Sequence, residues 1–232
     1  NPKGNIFPSF SPDGKKILWT TILGQSRTGS VMRKRAISIA DLQVRRGRYE
    51  LAEIKQFTPG VNLDFYEAYS FTPDGKKILF AGNLADKQGW YSMDLHLLDI
   101  TTQEISTLTD IPGIWNRFAA MSPKGEKIVW SCSLGLTIPN LGPGGRFWEK
   151  YMSSELWIMN KDGSGKKRLT GFNQRTAPEF SGVRSLVGCT AWSPDGKKIA
   201  LVLHREGVNF ELTSTLLILN LADSATPAPV GQ

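Results

Sequence analysis

One short motif recurs four times, and it limits this chain more than any other feature. Ser11-Pro12-Asp13-Gly14-Lys15-Lys16-Ile17 returns as Thr72-Pro73-Asp74-Gly75-Lys76-Lys77-Ile78, Ser122-Pro123-Lys124-Gly125-Glu126-Lys127-Ile128 and Ser193-Pro194-Asp195-Gly196-Lys197-Lys198-Ile199. The starts lie 61, 50 and 71 residues apart, so the period tolerates insertions. Proline presets φ at the second turn position, Asp hydrogen-bonds back to the backbone, and Gly adopts positive φ without a Cβ clash. Each copy therefore predicts a hairpin turn. Phe10, Phe71, Met121 and Trp192 precede the turns, and Ile17/Trp19, Ile78/Phe80, Ile128/Trp130 and Ile199/Leu201 follow them in strand alternation.

A third strand follows in each unit, at 37–41, 95–99, 156–160 and 216–220, closing on Asp41, Asp99, Asn160 and Asn220. A fourth is expected at Phe57-Thr58, Leu108-Thr109, Leu169-Thr170 and Val230-Gly231. Four strands per unit with no helical pattern between them predict an all-β β-propeller with four visible four-stranded blades, approximately 6–58, 65–109, 117–170 and 185–231, in one domain over 1–232.

The Ser-Pro-Asp-Gly-Lys-Lys-Ile turn, the third strand ending on Asp or Asn, and the Leu-Thr closure resemble the WD40-like propeller repeat of TolB-type proteins. The resemblance spans essentially the whole chain. It implies a propeller of the kind found in the periplasmic TolB protein and in the propeller domains of prolyl-oligopeptidase-like and tricorn-like peptidases. Lys124, Glu126 and Gly231 depart from the repeat and put the local turn and closure geometry in question. TolB-like rings usually have six blades, which leaves a rare four-bladed closure, part of a larger ring, or an open arc.

Composition narrows the function classes. With 40% hydrophobic residues the chain can build a core. No apolar run approaches membrane-spanning length, so no transmembrane segment of its own is expected. Cys132 and Cys189 show no zinc or haem spacing, and two buried thiols are expected in preference to a cross-blade disulfide. The net charge is +7, but Lys15, Lys16, Lys76, Lys77, Lys127, Lys197 and Lys198 all sit in the repeated turn, which argues against a nucleic-acid footprint. Asn1 stands where a Met would, and no leader precedes the first strand, as expected of a processed or excised chain.

Insertions favour the face carrying the second-to-third-strand and blade-to-blade connections. They hold Trp90, Tyr91, Trp115, Arg146, Phe147, Trp148, Tyr151, Phe172 and Arg175, the aromatic-plus-Arg composition of binding hot spots. Two readings are open, a partner interface and a cap over the ring's own core, and the interface is expected for the loop at 146–151. On the opposite face Arg45, Arg46 and Arg48 form a basic hairpin tip, read either as a solvated turn or as a contact for an acidic group. No Gly-x-Ser-x-Gly elbow occurs, His96 and His204 lack a metal-site spacing, and Gly142–Gly145 lacks the Lys-Ser/Thr of a phosphate loop. No catalytic residue, metal or cofactor is expected. The expected function is a non-catalytic, exported (periplasmic or extracellular) interaction scaffold whose partners are other protein chains, including subunits of a membrane complex. The alternatives are a peptidase's propeller domain and a ligand-binding propeller.

Overall fold

The computed structural model describes residues 4–25, 33–60, 65–85, 88–89, 92–136, 152–207 and 211–221. All regular structure among them is strand. Blade 1 comprises β1 (Gly4–Phe10), β2 (Lys16–Gln25), β3 (Arg33–Arg45) and β4 (Arg48–Phe57); blade 2 comprises β5 (Tyr66–Phe71), β6 (Lys77–Gly82), β7 (Asp94–Asp99) and β8 (Ile105–Thr107). Blade 3 holds β9 (Asn116–Met121), β10 (Lys127–Cys132), β11 (Glu155–Asn160) and β12 (Lys167–Arg168), and blade 4 holds β13 (Ser185–Trp192), β14 (Lys198–Glu206) and β15 (Leu212–Asn220). Each sheet is an antiparallel meander in chain order, four-stranded in blades 1 to 3 and three-stranded in blade 4. The closing strand expected at Val230-Gly231 lies outside the described residues.

The repeated motif folds as its chemistry requires. Gly14 N–H donates to Ser11 O at 2.9 Å, and Gly14 has φ 69°. Asp13 Oδ1 accepts from Ser11 Oγ at 2.6 Å and from Lys15 N at 3.0 Å, and Lys16 N donates to Ser11 Oγ at 2.8 Å. These bonds hold the Asp13 carboxyl below its ordinary pKa, first through Ser11 and then through the Lys15 amide. The same set recurs around Thr72/Asp74 and Ser193/Asp195. Lys124 cannot supply the carboxylate, yet the third turn keeps its shape because Ser122 O still accepts from Gly125 N and Ser122 Oγ from Lys127 N. A Cβ added to Gly125 would lie 2.9 Å from Pro73 Cγ, and one on Gly75 or Gly196 about 4 Å from Pro12 or Pro123, so the turns lie side by side on one face.

The Leu-Thr closure has an equally specific cause. Thr109 Oγ1 accepts from Leu95 N and donates to Asp94 Oδ1, both at 2.9 Å. Thr170 accepts from Leu156 N at 2.9 Å and donates to the buried Glu155 at 2.6 Å. The closing threonine thus fastens the outer edge of a blade to the start of its third strand.

β1, β5, β9 and β13 lie next to one another in that order, and each carries a register shift near its midpoint. Such bulges bend a strand and sharpen its twist. Phe7, Tyr69, Phe118 and Cys189, at or beside these shifts, line a central cavity of about 230 Å³ together with Pro8 and Thr190. Cys189 is therefore exposed rather than buried as expected, while Cys132 is buried, and both are free thiols.

Strand alternation gives each blade two apolar faces. Ile78, Phe80 and Leu98 of blade 2 pack back onto Leu18, Ile37 and Ile39 of blade 1, while Leu79, Ala81, Leu95 and Leu97 pack forward onto Ile128 and Trp130 of blade 3. Val129, Leu156 and Phe172 of blade 3 meet Val187, Ile199 and Leu201 of blade 4 in the same way. A closed four-bladed ring would place the forward face of blade 4 on the back face of blade 1. It does not form: Phe10 is 62% exposed where its counterpart Phe71 is 5% exposed, and Leu216 and Ile218 are 68% and 56% exposed. The forward face of blade 4 is thus open, whereas on the back face of blade 1 Phe10 is exposed beside buried Trp19, Ala36, Ser38 and Ala40.

Candidate interaction surface

The most distinctive surface element is the β3–β4 hairpin. β3 has 13 residues and β4 has 10, against 6 and 3 for β7 and β8, so the pair continues well past the blade. Arg46 and Gly47 occupy the two tip positions with φ 51° and 73°, the left-handed pair that a two-residue hairpin turn needs. Facing pairs Leu42/Leu51 and Val44/Tyr49 fall on one side, and Gln43/Glu50 and Arg45/Arg48 on the other. Val44, Leu51 and Tyr49 are exposed, Tyr49 at 75%. The sequence reading found only a basic tip in Arg45, Arg46 and Arg48. All three are exposed, Arg45 lies 3.9 Å from Glu50, and the charges form one side of an amphipathic ribbon. Alternation across the Arg46-Gly47 turn was the available signal for the apolar side.

The aromatic expectations divide. Trp115 is 2% exposed and packs with Phe65, Met93, Met152, Phe118 and Leu186. Phe172 is buried in the seam between blades 3 and 4, where its amide donates to Glu155 Oε2 at 2.9 Å. Both are corrected from partner contacts to internal packing, because Trp115 packs among Phe65, Met93 and Met152 from the neighbouring connections and Phe172 folds into the seam between blades 3 and 4. Arg175 is exposed. Trp90, Tyr91, Arg146, Phe147, Trp148 and Tyr151 lie outside the described residues.

Sequence reading missed a buried charge cluster. Glu67 of β5 is fully buried and accepts from Arg35 of β3 and from Arg117 of β9, with Arg117 Nε at 2.7 Å. Three blades are thereby tied at one carboxylate. Burial pushes the Glu67 pKa up, but Arg117 and Arg35 outweigh it and the net position is below the ordinary value. Arg35 and Arg117 also lie 4.3 and 5.3 Å from the Phe65 ring centre, a cation–π arrangement. Tyr69 Oη donates to Glu67 at 3.2 Å and accepts from Phe118 N at 3.0 Å, which leaves both committed to structure.

A second polar group lines an open cavity of about 640 Å³ on blade 2, bounded by Gln88, Ser92, Asp94, His96, Asp110 and Gly113. Burial raises the Asp94 carboxyl to about 6 against its bonds from Thr109 and Gln88. Burial likewise lowers His96 to about 4. His96 Nδ1 sits 3.2 Å from Thr107 Oγ1 and its ring tilts against Phe80 at 5.1 Å, while His204 Nδ1 sits 2.8 Å from Ser214 Oγ. Among the described residues no group of three His, Cys, Asp or Glu is placed to hold a metal ion, and no helix is long and apolar enough to cross a membrane.

Compared by sequence, the chain matches no protein-family model and no curated protein. Compared by structure, it is similar to a propeller in the nidogen/laminin complex, at 12% identity and TM-score 0.52, over 93% of this chain and 65% of that one. It is also similar to a Mycobacterium tuberculosis puromycin-hydrolyzing peptidase, at 11% identity and TM-score 0.52, over 97% of this chain and 30% of the other. Galerina marginata prolyl oligopeptidase B matches at 15% identity and TM-score 0.50, over 96% and 27%. The chain thus spans from about a quarter to just under two thirds of these structures. At these identities the likeness establishes the fold, a β-propeller domain similar to those of peptidases, and nothing beyond it.

Proposed function

We propose that the chain is a non-catalytic, TolB-like propeller that acts as a protein-interaction scaffold, exported to the periplasm and held on a membrane complex. The observation that carries this is the projecting β3–β4 hairpin, which presents Val44, Tyr49 and Leu51 to solvent on one side and Arg45 and Arg48 on the other. Exposed aromatic and aliphatic side chains rimmed by arginine are what interfaces bury. The repeated Ser/Thr-Pro-Asp-Gly turns, three of them with the full Asp hydrogen-bond set, support the TolB-like part of the reading. Shortening the hairpin, by replacing residues 43–50 with a tight turn, tests the role. Affinity purification from the source cells is expected to lose a stoichiometric partner that the intact chain retains, and an unchanged set of co-purifying proteins refutes it.

The fold likeness to peptidase propellers favours a second reading, in which these blades belong to a peptidase and position its substrate. A hydrolase domain encoded in the same gene would decide for it, as would covalent labelling of this chain by a serine-directed fluorophosphonate.

A further inference from the structure

Blades 2 and 3 carry the same polar latch, and the difference between them marks a site. Asp94 and Glu155 are the first residues of β7 and β11, and each accepts a hydrogen bond from the closing threonine of its blade, Thr109 or Thr170. Glu155 is fully buried and well served, because it also accepts from the amides of Phe172 and Asn173 at 2.9 and 2.7 Å and from Asn173 Nδ2 at 3.2 Å. Asp94 is 8% exposed, but its further donor is a single side chain, Gln88, whose Nε2 lies at 2.7 Å. No lysine or arginine among the described residues lines the cavity in front of it. Burying a carboxylate with so little compensation is costly, and burial is what raises Asp94 to about 6.

The cavity has the same origin. Three side chains are smaller in blade 2 than at the matching places of blade 3: Asp94 for Glu155, His96 for Trp157, and the cross-strand partner Thr107 for Arg168. Phe80 lies against His96 as Trp130 lies against Trp157, so the packing pattern is kept while volume is lost, and an opening of about 640 Å³ lies there. His96 is 3% exposed and lines this opening, and its Nε2 is buried with no hydrogen-bond partner among the described residues, although the Gly82 carbonyl lies near the ring. Burial keeps the ring neutral, and in the tautomer whose Nδ1–H donates to Thr107 Oγ1 the Nε2 is left as an acceptor.

We propose that this cavity binds a small alkylamine as its ammonium ion, with the charge at Asp94 and the alkyl stem along Leu84 and Pro112. The lining decides the class. The carboxylates of Asp94 and Asp110 only accept, so a cation bearing N–H donors completes them, and among the described residues no three His, Cys, Asp or Glu are placed to hold a metal ion instead. The net charge of the chain is +7, so a cation is drawn here by the local carboxylates and not by the molecule as a whole. This goes beyond the scaffold reading and does not rest on it.

Ligand-observed saturation-transfer NMR at neutral pH, with n-butylamine at millimolar concentration, is the test. The wild-type chain is expected to bind n-butylamine, and to bind n-butanol, which lacks the charge, and tetramethylammonium, which lacks the N–H donors, about ten-fold more weakly or worse. Asp94→Asn should weaken n-butylamine binding by about the same factor. Thr107→Arg restores the blade 3 residue on an exposed strand, fills the opening and sets a guanidinium beside Asp94, so it should also lose the amine with circular dichroism unchanged. The chain with the shortened hairpin should bind n-butylamine as the intact chain does, which separates this site from the scaffold role. No binding of n-butylamine to the wild-type chain, an equal response to n-butanol or tetramethylammonium, or binding unchanged in either variant overturns the proposal.

Discussion

Replacing Glu67 by Gln isolates the charge cluster that ties three blades. The carboxylate is fully buried and is the shared acceptor for Arg35 and Arg117, whose side chains are 13% and 11% exposed. Gln retains the volume and one acceptor but removes the negative charge, leaving two guanidiniums largely out of water with no counter-ion. Breaking a buried pair in this way costs about 3–5 kcal/mol. For a chain of this size that is a fall of about 6–20 °C in melting temperature. Urea denaturation followed by tryptophan fluorescence at neutral pH measures it, with the midpoint shifting and the slope unchanged. Since the folded-state pKa of Glu67 lies below its unfolded value, its contribution is present above the ordinary carboxylate range and is lost as pH falls through the depressed folded value. The gap between wild type and Glu67→Gln should therefore narrow in acid. Replacing all three members with apolar residues of similar volume should cost far less than Glu67→Gln alone. A Glu67→Gln chain within about 1 kcal/mol of wild type would show that water or neighbouring groups already solvate the arginines, and would refute the reasoning.

Three further outcomes are expected. Asp94 titrates at about 6 in the folded chain against 3.8 unfolded, so its contribution to stability is largest below the unfolded value and declines as pH rises toward 6; Asp94→Asn should remove that slope from a pH series of melting temperatures. Trp115→Ala should destabilise the isolated chain by about 3–5 kcal/mol in chemical denaturation, and a loss under about 1 kcal/mol would return Trp115 to the interface reading. Gly14→Ala and Gly125→Ala both force a side chain into positive φ, but only at Gly125 does the added Cβ meet Pro73 of the neighbouring blade, so Gly125→Ala should lower the melting temperature more.

Strand order, the turn face and the four strands of each of blades 1 to 3 were legible in the sequence because they depend on local chemistry. Pro presets φ, Gly14, Gly75, Gly125 and Gly196 take positive φ, and Ile17/Trp19-type alternation marks strands with two distinct faces. Those terms act within a few residues, so four copies wrote the same blade four times. The candidate site was only partly legible. The Arg45, Arg46 and Arg48 tip was visible as charge and the Leu42/Leu51 and Val44/Tyr49 pairs follow from the two-residue Arg46-Gly47 turn, but the shift of register between Ile39 and Asp41, which offsets these pairs from those of the blade, was not. Trp115 and Phe172 read as interface residues by composition, and only the packing of Trp115 against Phe65 and Met93 and of Phe172 into the seam between blades 3 and 4 made them core. Leu95 and Leu216 occupy the same place in their repeats, yet one is buried and the other is not. Burial is a property of what lies across the seam, which the tertiary arrangement decides and the repeat itself does not encode. The Arg35–Glu67–Arg117 cluster has the same origin: its members come from three blades, 32 and 50 residues apart in the chain, and no local pattern links them before the blades pack.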